Sequence, residues 1–420
     1  MNAYEVMEGI QTVFYAACVY FTRIQLTLPA ASLSETLFTK LFQGSVRRAG
    51  ITDTSVFLQG FDTIALQAEK NLWCISEWIK QNSALHLYLQ NNQATKIAED
   101  VTCSVLPKGI SQEVWTEWKN RIDQYFKEFG CTAYDYDFAY ATPQESFTPT
   151  LESMKLFVDG KGESPFIRQA TLAKRREQAE EKILQQISGP RKKLFLMLRH
   201  WAQETAPMRE TAIYLMGMGH PLIRRMFQEL SKRLLHGGAI SQLDDIYWIT
   251  KSELEALIMQ LDKNMPLSDM SGKIPARKAE FKKQQAYVPP SMLPEKTRKP
   301  AARTPQMRKY GKIVLTGIGT STGVVTAPAC VLNSPADFDK FQAGNVLVAV
   351  TTTPAWTPLF ASASAIVTDI GGPLSHSSIV DREYGIPAVM ATHVATRTIQ
   401  SGQMITVDGA TGAVTFEENV

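Results

Sequence analysis

The segment from Thr368 to Met390 constrains this chain more than any other, because it closes a helix at both ends around a single histidine. Ile366 and Val367 end an apolar run that reads as a strand, and the triplet Gly371-Gly372-Pro373 interrupts it. Ser375 is a good N-cap, so the pattern predicts a short helix from His376 to about Tyr384. Gly385 supplies a left-handed stop, and Pro387 forbids continuation before a second short strand, Ala388 to Ala391. A helix N-terminus gathers unpaired N–H groups and a partial positive charge, and two glycines let an anion approach the main chain. A phosphoryl group fits such a place. A neutral imidazole nitrogen held there can attack phosphorus and carry the group covalently, which makes His376 a candidate relay. The competing reading, a surface or capping histidine, is not excluded by the spacing alone.

The run Gly371-Gly372-Pro373-Leu374-Ser375-His376-Ser377-Ser378, continued by Ile379-Val380-Asp381-Arg382-Glu383-Tyr384-Gly385-Ile386-Pro387, resembles the phosphohistidine motif of the phosphoenolpyruvate-utilising enzymes. That family includes pyruvate phosphate dikinase, phosphoenolpyruvate synthase and rifampicin phosphotransferase. The likeness extends upstream to Thr353-Pro354-Ala355-Trp356-Thr357-Pro358 and downstream to Ser401–Gly409, covering about residues 313–416. Leu374 sits closer to the rifampicin phosphotransferase branch. The resemblance implies a C-terminal α/β (β/β/α) swivelling domain in which His376 is phosphorylated and Gly371, Gly372 and Ser375 cradle the phosphoryl oxygens. It implies that Arg382 helps to position or neutralise the group, although six positions along the helix it points elsewhere and suits a structural salt bridge equally. Asp381 departs from the family's common alanine; lying on a different side of the helix from His376, it is expected to tune the surface without abolishing transfer.

With 420 residues and 44% hydrophobic content, the chain is long enough for two or three domains with their own cores. A net charge of +3 argues neither for nor against nucleic acid. The cysteines at 18, 74, 103, 131 and 330 are scattered, without metal-ligand spacing, and suggest a reduced, cytoplasmic compartment and no metal site. The apolar run Ile10 to Thr22, bracketed by Glu8 and Arg23, is shorter than the roughly 20 residues that span a bilayer. It lacks signal-peptide flanks and reads as a core helix.

Residues 1–288 are dominated by helical periodicity and form a mainly α-helical N-terminal region. Between Pro190 and Leu235 apolar residues recur at threes and fours, predicting two long helices separated near Gly217–Pro221 or at Pro207. Met208, Met216, Met218 and Met226 suit either a plastic binding surface or ordinary core. Thr250 with Glu253 three residues on is a capping box. The run Asp244-Asp245-Ile246-Tyr247-Trp248-Ile249-Thr250, and Phe129-Gly130 followed by Tyr134–Ala139 and Pro143, resemble parts of the helical substrate-binding domain that precedes the histidine domain in rifampicin phosphotransferase. Cys131 departs from the basic residue usual there. Asp137, Arg209, Glu210, Asp244 and Asp245 are the candidates for lining an acceptor site or its docking face, each with a salt bridge or helix cap as the alternative.

Residues 289–308, rich in Pro, Lys and Arg, read as a linker that extends and resists collapse. With few aromatics between the basic residues, nucleic-acid binding is not indicated. From 309 to 420 the chain alternates short β-branched runs with turns, as in the swivelling domain. The glycine-rich stretch Gly317–Gly323 resembles a nucleotide loop only weakly and is expected to be a strand-connecting turn. No Walker A sequence occurs, and nothing resembles the ATP-grasp module that charges the histidine in these relatives. The expectation is therefore a phosphotransferase component served in trans by an ATP-grasp partner holding ATP and Mg²⁺, with a small-molecule acceptor, no nucleic acid and no membrane. The alternatives are a non-catalytic phosphocarrier or regulatory protein, a degenerate relative whose histidine is vestigial, or one subunit of a split phosphoenolpyruvate synthase-like enzyme.

Overall fold

The computed structural model describes residues 2–51, 54–285, 307–309, 312–373 and 375–417. The expected linker, 289–308, lies outside them apart from the backbone of Met307 and Arg308, and so does Leu374. The chain forms two compact units, one built from Met1–Thr22, Asp135–Ala141 and Met216–Ala301, the other from Arg23–Tyr134, Thr142–Leu215 and Ala302–Val420. The helical region read from sequence as one body, 1–288, thus contributes to both. None of the described helices is long and apolar enough to cross a membrane.

The first unit packs the start of the helix Ala3–Arg48 with His220–His236, Lys251–Asp262 and Ile274–Gln285. Its core is Val6, Ile10, Ile223, Leu230, Leu234, Ile246, Leu254 and Leu257. Asp262 caps the first helix by accepting from the amides of Ala3 at 2.8 Å and Tyr4 at 2.9 Å. The Thr250–Glu253 capping box forms as the spacing predicts. The expected core helix is only partly one: Ile10 is buried, whereas Phe14, Tyr15 and Phe21 expose their rings. The two long helices part between Leu215 and His220, and Pro207 lies inside the first of them. Met226 packs on this unit's core, while Met208 and Met218 are exposed.

In the second unit a helical layer holds two cores. Trp115, Trp118, Leu72, Ile79, Leu151 and Phe157 form one; Phe38, Phe42, Phe57 and Phe195, with ring centroids 5.1–5.9 Å apart, form the other. The C-terminal part is a nine-stranded mixed sheet. Its strands are β1 (Met307–Lys309), β2 (Lys312–Thr316), β3 (Ile318–Ser321), β4 (Val324–Leu332), β5 (Val346–Ala349), β6 (Ala365–Thr368), β7 (Ala388–Met390), β8 (Met404–Asp408) and β9 (Ala413–Glu417). Their order is β1-β2-β9-β8-β4-β5-β6-β7-β3, with β4 through β7 parallel. Every residue of β5, β6 and β7 is buried, as continuous apolar runs in a parallel sheet require.

One face of the sheet, with Leu347, Ile366 and Met390, is covered by Phe338, Trp356, Phe360 and Val380, and by Tyr134 from the helical layer. The other face packs Val348 and Val367 against Ala395, Ile405 and Val407. The expected turn at Gly317–Gly323 is instead largely strand, since β3 pairs antiparallel with β7 in the register Ile318↔Met390. Gly317 permits that approach, for a Cβ there would lie 2.3 Å from the carbonyl oxygen of Met390.

Candidate phosphoryl-relay site

The histidine helix spans His376–Tyr384, as its caps predict. Ser375 accepts from the amide of Ser378, and Gly385 adopts φ 66°. The loop before it differs from the expected open cradle. The carbonyl of Gly372 accepts from the Ser375 amide at 2.9 Å, the Ser375 hydroxyl at 2.9 Å and the Ser378 hydroxyl at 2.7 Å. Gly371 and Gly372 therefore turn a carbonyl to the helix start. Among the described residues the amides of His376 and Ser377 bond no acceptor.

The His376 ring is 6% exposed and engaged at both nitrogens. Nδ1 lies 2.7 Å from Glu210 Oε2, and Nε2 lies 3.2 Å from the hydroxyl of Thr357. Glu210 comes from the helix Gly189–Leu215 and Thr357 opens the short helix Thr357–Phe360, so helical layer and sheet meet at this ring. The other oxygen of Glu210 is 3.4 Å from Arg209, also buried. Burial works to raise the Glu210 carboxyl, but His376 and Arg209, by charge and hydrogen bond, hold it below the ordinary value. Burial lowers the Arg209 guanidinium in turn. A carboxylate can only accept, so Nδ1 carries a proton; in the neutral ring Nε2 then keeps its lone pair and accepts from the Thr357 hydroxyl.

Further contacts hold the same helix. Arg382 reaches Glu35 at 3.2 Å and the Pro373 carbonyl at 2.9 Å, a structural role that directs it away from the ring nitrogens. Tyr384 donates to Glu69 at 2.5 Å, Arg168 pairs with the same Glu69, and its guanidinium stacks 3.7 Å from the Tyr384 ring centroid. Glu383 is half-buried and forms no ion pair among the described residues; burial and the neighbouring Glu210 push its carboxyl up to about 8.

Asp381 corrects the sequence reading. It is not a surface residue: its side chain is wholly buried, neither carboxylate oxygen has a hydrogen-bond partner among the described residues, and burial raises its pKa well above the ordinary value. The helix lies between the sheet and the helical layer, so the side opposite His376 is interior as well. The folded chain holds this proton at pH values where the unfolded chain has lost it. The group therefore costs stability increasingly as pH rises from the unfolded value, about 3.9. Asp381→Ala is expected to raise the urea midpoint at pH 7, by roughly 1–3 kcal/mol for removal of an unsatisfied buried group, with the gain shrinking toward pH 3. An unchanged or lowered midpoint at pH 7 would contradict this account.

Of the acceptor candidates, Arg209 and Glu210 stand at His376. Asp137, Asp244 and Asp245 belong to the other unit and have local settings there. Asp137 accepts from the Ala139 amide at 2.9 Å, Asp244 is exposed, and Asp245 caps the turn Leu243–Trp248 and pairs with Lys278 at 2.7 Å. Two cavities flank the ring's partners. One is lined by Glu69, Tyr125, Tyr134, Tyr214 and Thr357, the other by Glu35, Arg209, Glu210, Arg382 and Glu383. Each holds about 30 Å³, room for little more than a water, so the site is closed around the unmodified histidine. Sequence reasoning missed Glu35, Glu69, Arg168 and Thr357; only Thr357, inside a quoted motif run, carried any signal.

Known proteins resemble the chain in two segments. Residues 341–412 match the family described as PEP-utilising enzyme, mobile domain, and residues 24–210 match the rifampicin phosphotransferase fourth domain. A Bacillus subtilis protein named "Uncharacterized phosphotransferase YvkC" is 26% identical over 84% of this chain and 42% of its own length. A rifampicin phosphotransferase of Streptomyces sviceus is 33% identical over 44% of this chain and 20% of its own. A protein of Archaeoglobus fulgidus named "Probable phosphoenolpyruvate synthase" is 41% identical over 28% of this chain and 16% of its own. The chain spans less than half the length of these curated relatives. The segment that holds His376 and the segment that ends at Glu210 are therefore the two matched ones, and the chain is a relative of the phosphoenolpyruvate-utilising, rifampicin phosphotransferase-like enzymes.

Proposed function

We propose that the protein is a phosphotransferase component whose His376 carries a phosphoryl group on Nε2 from an ATP-grasp partner acting in trans to a hydroxyl of a small molecule held by the helical layer. The observation that carries this reading is the buried pair between Nδ1 of His376 and Glu210 at 2.7 Å, which fixes the tautomer with its lone pair on Nε2. The Nε2 lone pair forms a bond to phosphorus as the donor's P–O bond breaks, and the Nδ1 proton stays shared with Glu210. In the second half, the acceptor oxygen forms its bond to phosphorus as the N–P bond breaks, and the hydroxyl proton passes to solvent or a nearby base. Phosphoryl transfer asks mainly for alignment and charge neutralisation. The amides of His376 and Ser377, which bond no acceptor among the described residues, and the Thr357 hydroxyl are available to phosphoryl oxygens. Mg²⁺ would act with ATP on the partner. The closed arrangement is that of the uncharged histidine, so loading requires Thr357 and the helical layer to yield access. A cytoplasmic setting accords with the requirement for ATP.

The test uses the full chain incubated with ATP, Mg²⁺ and an extract of its native host, then isolated at alkaline pH. Phosphorus NMR of the product is expected to show a single phosphohistidine of the Nε2 type, stable to base and labile to acid. A phosphoryl group on Nδ1, or on a serine of the same helix, would rule out the tautomer argument.

A further inference from the structure

A cleft of about 420 Å³, much larger than either cavity at the histidine, opens in the second unit beside one of them, with which it shares Ser55, Gln59 and Arg382. Its helical wall is one face of the helix Pro165–Gln186, where Leu172, Arg175, Ala179 and Lys182 follow one another at helical spacing. Leu172 and Ala179 are buried in the floor; Arg175 and Lys182 extend into solvent and form no ion pair among the described residues. A second wall is the end of β3, Thr320 and Ser321, with Thr322 in the turn to β4 and Arg382 at the end of the histidine helix. Gly323 shapes that connection at φ 136°, close to Pro387. Ser321 spends its hydroxyl on the Asp381 carbonyl at 3.3 Å, whereas that of Thr322 has no bond among the described residues. No carboxylate lines the cleft among those residues, while three cationic side chains do, one of them, Arg382, shared with Glu35.

We infer that this cleft is a second anion site, separate from His376, that takes the phosphate group of a small polar molecule. Two unpaired cations on one helix face offer charge-assisted hydrogen bonds to phosphate oxygens, and the Thr322 hydroxyl adds one neutral donor, those of Thr320 and Ser321 being spent on backbone carbonyls. The volume accommodates a phosphate ester or a diphosphate. Because the two walls come from the helical layer and from the sheet domain, a bound phosphate ties the sheet domain to the helical layer.

Inorganic phosphate, pyrophosphate and ribose 5-phosphate are titrated calorimetrically against the full chain, against Arg175→Ala/Lys182→Ala and against His376→Gln. At least one probe is expected to bind saturably to the parent and to His376→Gln, and at least about tenfold more weakly to the double variant. Which probe binds best distinguishes a free phosphate from an esterified one. The inference fails if none binds saturably, if the double variant binds as the parent does, or if binding is lost only with His376. That last result would place the anion at the relay. Arg175 and Lys182 are exposed, so their removal does not threaten folding, and the relay's own chemistry can fail without touching this result.

Discussion

His376→Gln is expected to abolish the acid-labile, base-stable phosphoryl label that the chain acquires from ATP and host extract. Glutamine approximates the reach of the imidazole and keeps a donor and an acceptor, so it can still meet Glu210 and Thr357 in the buried site. What it lacks is a nitrogen lone pair able to bond phosphorus, so the expected loss is complete and not graded. Circular dichroism, and an unfolding free energy from urea melts within about 2 kcal/mol of the parent's, would show that the site, and not the fold, was removed. Peptide mapping settles the position, since the chain has other histidines, among them exposed His200. A variant that keeps full labelling would transfer the relay elsewhere and end the reading given above.

The residues that place the histidine were legible because their signals are local. Ser375 and Gly385 act within a turn of the helix they bound, and Pro387 acts through its own ring, so a short window suffices to find both ends. The apolar runs of β5 and β6 were equally plain. The closure of the site was not, because it is made by pairs far apart in the chain: His376 with Glu210, Arg382 with Glu35, Tyr384 with Glu69. No window contains both members. Asp381 shows the limit from another side. Helical periodicity correctly put it on a different face from His376, but only the sheet behind it decides that this face is interior. Gly317–Gly323 misled for a similar reason, because strand β3 exists only by pairing with β7 and its glycines are read locally as a turn.

Glu210→Gln should lower the initial rate of His376 phosphorylation by about 100-fold while leaving some label, a loss within the range for a group that assists a nucleophile. Glu210 touches the ring only at Nδ1, so it is a positioning residue that acts through the histidine. Its carboxylate fixes the tautomer, whereas an amide can turn either its oxygen or its nitrogen to the ring and leaves the lone pair free to reside on Nδ1. The substitution also takes from buried Arg209 the nearer of the two carboxylates acting on it, Glu35 being the other, and breaking a buried pair costs up to about 3–5 kcal/mol. The folded-state carboxyl of Glu210 is depressed below its unfolded value of about 4.3, so its stabilisation is full at neutral pH. It is lost only as pH falls through the depressed value. The variant should therefore show a lowered urea midpoint at pH 7 and no acid limb in that range attributable to Glu210. A merely structural glutamate would move the midpoint without moving the rate, so a variant that labels within twofold of the parent would separate the fold's use of Glu210 from the chemistry claimed for it.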